Sequence, residues 1–159
     1  MMKIYFAGSI RGSPADKDLY LEIINYLKTK GAVLTEHIAD KSITPEGEKD
    51  LSEEAIHNRD MGWLDSAGVV VAEVTAPSLG VGYELGRIVE HDRDEGNQRR
   101  PILCLYRPQE GKRLSAMIKG CSGVEVREYN SLDEAKKAID IFLKSIPEQR
   151  SSDLEDFLL

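Results

Sequence analysis

The chain has 159 residues, 41% of them hydrophobic and 31% charged, the balance of an ordinary globular protein of one domain. No apolar run approaches the roughly 20 residues needed to cross a bilayer. The N-terminus opens on the strand-like KIYFAG with no basic-then-apolar leader before it, so the expected setting is the cytoplasm, with the nucleus accessible and no membrane partner. The formal charge of −7 argues against polymeric nucleic acid as a ligand, since that binding rests on Lys and Arg neutralising phosphates. A small phosphorylated ligand is compatible, because one helix N-terminus and a few donors can hold it whatever the net charge.

Residues 3–7 form a short apolar run ended by Gly8 and read as a first strand. Residues 16–30 carry Leu19, Ile23, Ile24 and Leu27 at helical spacing, with Gly31 as a stop signal. A second strand is expected over 32–35, a polar loop with Pro45 and Gly47 over 39–50, and a helix over 51–66. Residues 69–74 are almost wholly aliphatic, as in a central strand covered on both faces. A turn bearing Pro and Gly then leads to a helix over 81–93. Beyond it come a buried strand over 101–106, a short helix over 113–119, a last strand over 124–127 and a last helix over 132–143.

Strand and helix alternate throughout, so the expected fold is α/β: a five-stranded parallel sheet with helices on both faces. Ligands of such sheets sit beyond the C-terminal strand ends, and the unusual residues do follow strands. One domain is expected over 1–147, with an acidic, flexible tail over 148–159.

The two cysteines, Cys104 in an apolar run and Cys121 beside glycines, suggest neither a disulfide framework nor a metal site. No clustered spacing links the three histidines, His37, His57 and His91, so no catalytic metal is expected.

On a helix over 51–67, Asp60 falls between Ile56 and Leu64 on the apolar face. A carboxylate facing a core is costly unless paired or hydrogen-bonded. It is either satisfied by a backbone N–H, exposed by a rotated helix, or functional. Glu84 shares the inward side of Val81 and Ile88 in the first helical turn, where the macrodipole favours an anion. A Glu near a helix start needs no function, but Gly80, Gly82 and Gly86 around it are intelligible if a ligand or another backbone must come close. Two inward carboxylates on neighbouring helices suggest acid/base or nucleophilic work, of which cleavage of a sugar C1–heteroatom bond is one form. A Glu ionised by the helix N-terminus suits attack on the sugar, and a less solvated Asp, its pKa raised by burial, suits proton transfer.

Gly8, Ser9, Ile10, Arg11 and Gly12 link the first strand to the first helix. Backbone N–H groups, a hydroxyl and a guanidinium there could grip a phosphate, although the same turn could simply cap a helix. Neither GxxxxGK[ST] nor a good GxGxxG is present. Ser78 either faces the same region or caps the next helix. Ser115 read alone is a surface hydroxyl or a cap, Tyr5 a core tyrosine, and His37 an edge histidine with base stacking as an alternative. Arg107 and Arg113 read as surface residues.

Taken together, IYFAGSIRG, LTEHIAD, DMGWLDSAGVVVAEVTAPSLGVGYELGR and PILCLYRPQEGKRLSAMIKG resemble the 2′-deoxynucleoside 5′-phosphate N-hydrolases, a branch of the nucleoside 2-deoxyribosyltransferase superfamily, over residues 3–146. The resemblance implies a flavodoxin-like (Rossmann-like) three-layer sandwich, a homodimer and no cofactor. It also implies hydrolysis of a deoxynucleoside 5′-monophosphate, 5-hydroxymethyl-dUMP among the substrates, to free base and 2-deoxyribose 5-phosphate, in the service of nucleotide-pool sanitation. Glu84 matches the family's nucleophile, Asp60 its second carboxylate, and Tyr5 the tyrosine that orients the Glu. Ser9, Arg11, Ser78 and Ser115 match phosphate contacts, Ser115 reaching across the dimer; Ile10 and His37 match positions near base and sugar. The charged stretch EHDRDEGNQRR at 90–100 departs from the family pattern, and 52–58 is variable, but neither matches a family site residue.

The mechanism so implied is retaining: Glu84 attacks C1′ and water then hydrolyses the glycosyl-enzyme. A 2′-hydroxyl would be excluded by close packing, since a buried unpaired polar group costs about 1–3 kcal/mol. A deoxyribosyltransferase that passes the sugar to another base, and a catalytically inert nucleotide sensor, are the alternatives.

Overall fold

A computed structural model describes residues 1–10, 13–35, 51–94 and 99–147. The expected loop over 39–50, the tail over 148–159, and Arg11, Gly12 and His37 lie outside the described residues. The strands are β1 (Lys3–Ala7), β2 (Ala32–Val33), β3 (Val69–Glu73), β4 (Ile102–Tyr106) and β5 (Glu125–Glu128). The helices are α1 (Pro14–Lys28), α2 (Glu53–Ser66), α3 (Leu79–Asp94), α4 (Ala116–Lys119) and α5 (Leu132–Ser145).

All strand pairs are parallel, in the order β2-β1-β3-β4-β5, the flavodoxin-like arrangement in which chain direction across the sheet reverses beside β1. β3 and β4 are buried at every position, as their unbroken aliphatic runs require. Side-chain alternation splits the core into two layers. Ile4, Phe6, Val69, Val71, Leu103 and Leu105 face α1 and α5, while Tyr5, Ala7, Val70, Ala72, Ile102 and Cys104 face α2 and α3.

Element ends differ from the expected ones for local reasons. α1 begins at Pro14 because Pro tolerates the first helical position and because Ser13 and Asp16 form a capping box before it. β2 stops at Val33, two residues early. Beyond it the Thr35 side chain takes over the ladder: its Oγ1 accepts from the Phe6 N–H at 2.9 Å and donates to the Phe6 carbonyl at 2.6 Å. α3 starts at Leu79, with Ser78 Oγ accepting from the Val81 N–H at 3.3 Å. The short helix before β5 is only Ala116–Lys119, capped by Ser115.

Far from the strand C-termini, Asp92 of α3 is 6% exposed and takes the Arg100 backbone N–H at 2.8 Å and its guanidinium at 2.8–3.2 Å. Arg100 Nη1 continues to the Leu64 carbonyl at 2.7 Å. The clamp joins α2, α3 and the approach to β4, so part of the charged 90–100 stretch is structural. Both cysteines are unpaired; Cys104 is buried in β4, and burial, with Cys121 nearby, pushes its thiol up to about 12.

Candidate active site

Two elements meet at the C-terminal edge of the sheet where the strand order reverses. β1 presents Tyr5 on the α2/α3 side, and the turn after β3 delivers α3 with Glu84. The Tyr5 hydroxyl donates to Glu84 Oε1 at 2.9 Å. Tyr5 is wholly buried, and the cost of burying a phenol is met by this one acceptor.

Burial pushes the Glu84 carboxyl up from 4.5 to about 7; the Tyr5 hydrogen bond opposes the rise and the nearby Asp60 charge adds to it. Burial first, then the charge and hydrogen bond of Glu84, raise the Tyr5 hydroxyl well above the phenol range. Tyr5 therefore stays a donor at any physiological pH, which favours the ionised form of the carboxylate it faces.

Asp60 projects from α2 toward the same pair, whose titration its charge influences. Its Oδ1 accepts from Arg59 Nε at 2.9 Å and pairs with Arg59 Nη2 at 2.8 Å, and the Arg59 guanidinium stacks 4.7 Å from the Trp63 ring centre. The sequence reading gave the burial-raised carboxyl to Asp60 and an ionised one to Glu84. The structure places a burial-raised carboxyl at Glu84, with Tyr5 opposing the rise; the Asp60 side chain is 23% exposed and ion-paired with Arg59.

Gly8 and Ser9 follow β1 directly. A Cβ at Gly8 would lie 3.0 Å from the Tyr20 ring and 3.3 Å from Phe6, so a side chain there would require those rings to give by a few tenths of an ångström. Ser9 is 3% exposed and Ile10 lies at the surface. Ser78 and Ser115 line one cavity of about 490 Å³, between the start of α3 (Leu79, Val81, Gly82, Leu85) and α4. At about 100° per residue, Glu84 occupies the adjacent face of α3, turned toward Tyr5. Ser115 therefore lies on the other flank of α3 from Glu84 within its own chain.

A Cβ at Gly82 or Gly86 would meet nothing within 4 Å, and at Gly80 only Ser78 Oγ at 3.8 Å. No contact within the described residues demands these glycines, so the space beside them is open to a ligand or a partner backbone.

Arg107 corrects the sequence reading: its side chain is 29% exposed and forms ion pairs with Asp16 and, at 3.7 Å, with Glu73. Glu73, at the end of β3, is fully buried. Burial raises its carboxyl above the usual range, against hydrogen bonds from Thr75 and Tyr129. Its signal in the sequence was a carboxylate closing the aliphatic run VVVAE. Among the described residues no cluster of His, Cys, Asp and Glu could hold a metal, and no helix is long and apolar enough to span a membrane.

The nucleoside 2-deoxyribosyltransferase family model matches residues 4–117. The 5-hydroxymethyl-dUMP N-hydrolase of Mus musculus is 48% identical over 141 residues, covering 88% of this chain and 76% of that protein. The Homo sapiens protein of the same name is 46% identical over 148 residues, covering 91% and 80%. In structure, the chain is similar to the Clostridium botulinum CMP N-glycosidase BcmB, with a TM-score of 0.62 at 18% identity, over 88% of this chain and 98% of that one; at that identity the likeness shows the fold. The chain belongs to the nucleoside 2-deoxyribosyltransferase family.

Proposed function

We propose that the protein hydrolyses the N-glycosidic bond of 2′-deoxynucleoside 5′-monophosphates, 5-hydroxymethyl-dUMP among them, through a covalent glycosyl-enzyme on Glu84. The observation that carries this reading is the part-buried Tyr5–Glu84 hydrogen bond. Relatives named for N-hydrolysis of 5-hydroxymethyl-dUMP support the substrate class. The biological role that follows is removal of modified deoxynucleotides from the precursor pool.

Tyr5 holds Glu84 Oε1, which leaves Oε2 to attack C1′. As the C1′–N bond breaks, its electron pair leaves with the base, which takes a proton from a water molecule oriented by the Asp60 carboxylate. The hydroxide so formed attacks C1′, and the C1′–O bond to Glu84 breaks with its electron pair returning to the carboxylate. The base leaves as a neutral species, 2-deoxyribose 5-phosphate is released and the Glu84 carboxylate is restored. No metal or cofactor takes part. Ser9, Arg11 and Ser78 hold the 5′-phosphate, so binding energy remote from the breaking bond positions C1′. Gly8, Gly12 and Gly80 let the backbone approach that phosphate, and Ile10 and His37 border base and sugar.

Ser115 serves the site of a second copy in a homodimer. It sits across α3 from its own Glu84, and the adjoining Leu79 and Met117 are 97% and 83% exposed, apolar surface that a partner would cover. Sedimentation at micromolar concentration should give a dimer, and Met117→Asp a monomer with little activity.

The test is an assay of dGMP and 5-hydroxymethyl-dUMP with and without added free base. Hydrolysis in water alone is expected. Sugar transfer that requires an acceptor base, with no cleavage without it, would instead make the protein a transferase.

A further inference from the structure

Arg107 follows β4 and stands between the two loops that carry Ser9 and Ser78. On one side its Nη2 donates to Asp16 Oδ1. Asp16 Oδ2 accepts from the backbone N–H and the hydroxyl of Ser13, both at 2.8 Å, so the hold is on the first turn of α1, where the chain emerges from the loop after β1. On the other side the Arg107 backbone N–H donates to Thr75 Oγ1 at 2.8 Å, and that hydroxyl donates to Glu73 Oε1. Glu73 also receives the Tyr129 hydroxyl at 2.9 Å, and Arg107 Nε stands 3.7 Å from its Oε1, an ion-pair rather than a hydrogen-bond distance. Thr75 opens the segment that reaches Ser78 three residues later.

Glu73 belongs to the β3 face that packs toward α1 and α5, as Val69 and Val71 do. Tyr5 belongs to the opposite layer. The network is thus separated from the reacting pair by the sheet itself. Desolvating several charged groups is costly, and a buried ion pair is weak evidence of stabilisation by itself. What this one does geometrically is fix the first turn of α1 relative to the β3–α3 turn.

We propose that Arg107 is a positioning residue that sets the distance between the two phosphate-binding loops, and so governs recognition of the substrate's 5′-phosphate without touching the reacting atoms. This rests on the phosphate role given above to Ser9 and Ser78. Misplaced loops lose binding that is remote from the bond being cleaved, and the deficit falls on KM more than on kcat.

The experiment compares the wild type, Arg107→Gln and Arg107→Lys in two measurements. Steady-state cleavage of dGMP is measured first. Binding of dGMP and of deoxyguanosine, which lacks the phosphate, is then measured by calorimetry in the Glu84→Gln background, where turnover is removed. We expect Arg107→Gln to raise KM and Kd for dGMP at least tenfold, with kcat within threefold and deoxyguanosine affinity unchanged. Arg107→Lys, which keeps the charge but not the planar fork, should fall between. Equal loss of affinity for both ligands, or a fall in kcat with KM unchanged, would overturn the proposal. If Arg107→Gln does not fold, Arg107→Lys and Asp16→Asn carry the same comparison. A wild type that binds dGMP without cleaving it would refute the hydrolase reading alone, whereas unaltered dGMP affinity in folded Arg107 variants would refute only the positioning role.

Discussion

The Tyr5 hydroxyl donates to Glu84 Oε1 at 2.9 Å, so a residue of the first strand acts on the charge state of a carboxyl that α3, starting at Leu79, carries in its second turn rather than in the expected first. Burial drives the Glu84 carboxyl up to about 7, and Tyr5 is the group that opposes the rise. A nucleophile must be ionised to attack. The pH profile of kcat/KM, which reports the free enzyme, should therefore fall on the acid side with a midpoint near 7. Tyr5→Phe removes the opposing hydrogen bond, so its acid limb should move to higher pH and kcat at neutral pH should drop by tenfold or more. An acid limb unmoved by Tyr5→Phe would assign that titration to another group.

The Asp60 charge contributes to the rise at Glu84. Asp60→Asn removes that charge together with the water-orienting carboxylate proposed above. Its acid limb should shift to lower pH, opposite to Tyr5→Phe, while kcat falls by two orders of magnitude or more. A profile identical in position to the wild type would show that Asp60 does not act on Glu84.

The same titration affects folding. A Glu whose folded pKa is raised binds its proton more tightly in the folded protein. Stability is therefore full below about 4.5 and declines as pH rises through about 7. Glu84→Gln escapes this loss and still offers Tyr5 an acceptor. Its stability should exceed the wild type's by up to about 3 kcal/mol above neutral pH, at about 1.4 kcal/mol per pKa unit, and match it in mild acid. Urea titrations across pH test this, and a variant no more stable than the wild type in alkali would contradict it.

Arg100 supplies the partners that keep Asp92 buried. Arg100→Met should lower stability by about 3 kcal/mol, because it leaves a desolvated carboxylate with its side-chain cation gone. The double variant Arg100→Met/Asp92→Leu should recover most of that loss, and chemical denaturation of the wild type and the two variants gives the comparison.

The fold was legible because its signals are local. The VVVAE and ILCLY runs mark central strands, and alternation with amphipathic helices implies a parallel sheet. Boundaries slipped where side chains replaced backbone, as when Thr35 completes the β1 ladder in place of a longer β2. Glu84 and Asp60 stood out as carboxylates on apolar faces. Their relative environments did not, because which of two acids is desolvated depends on packing between helices that no spacing reveals. Arg107 reads as a surface residue in the sequence for a similar reason. Its partners Asp16 and Glu73 lie 91 and 34 positions away in the chain, and only the sheet order brings β1, β3 and β4 together at one edge.

The proposed nucleophile is Glu84, whose carboxylate would carry the sugar in a covalent intermediate. Acid-quenching the protein during turnover of dGMP, followed by intact-mass measurement and peptide mapping, tests it most directly. The account predicts a single deoxyribose phosphate adduct on the peptide containing Glu84, absent from Glu84→Gln. An adduct on Asp60, or full turnover by Glu84→Gln, would contradict it.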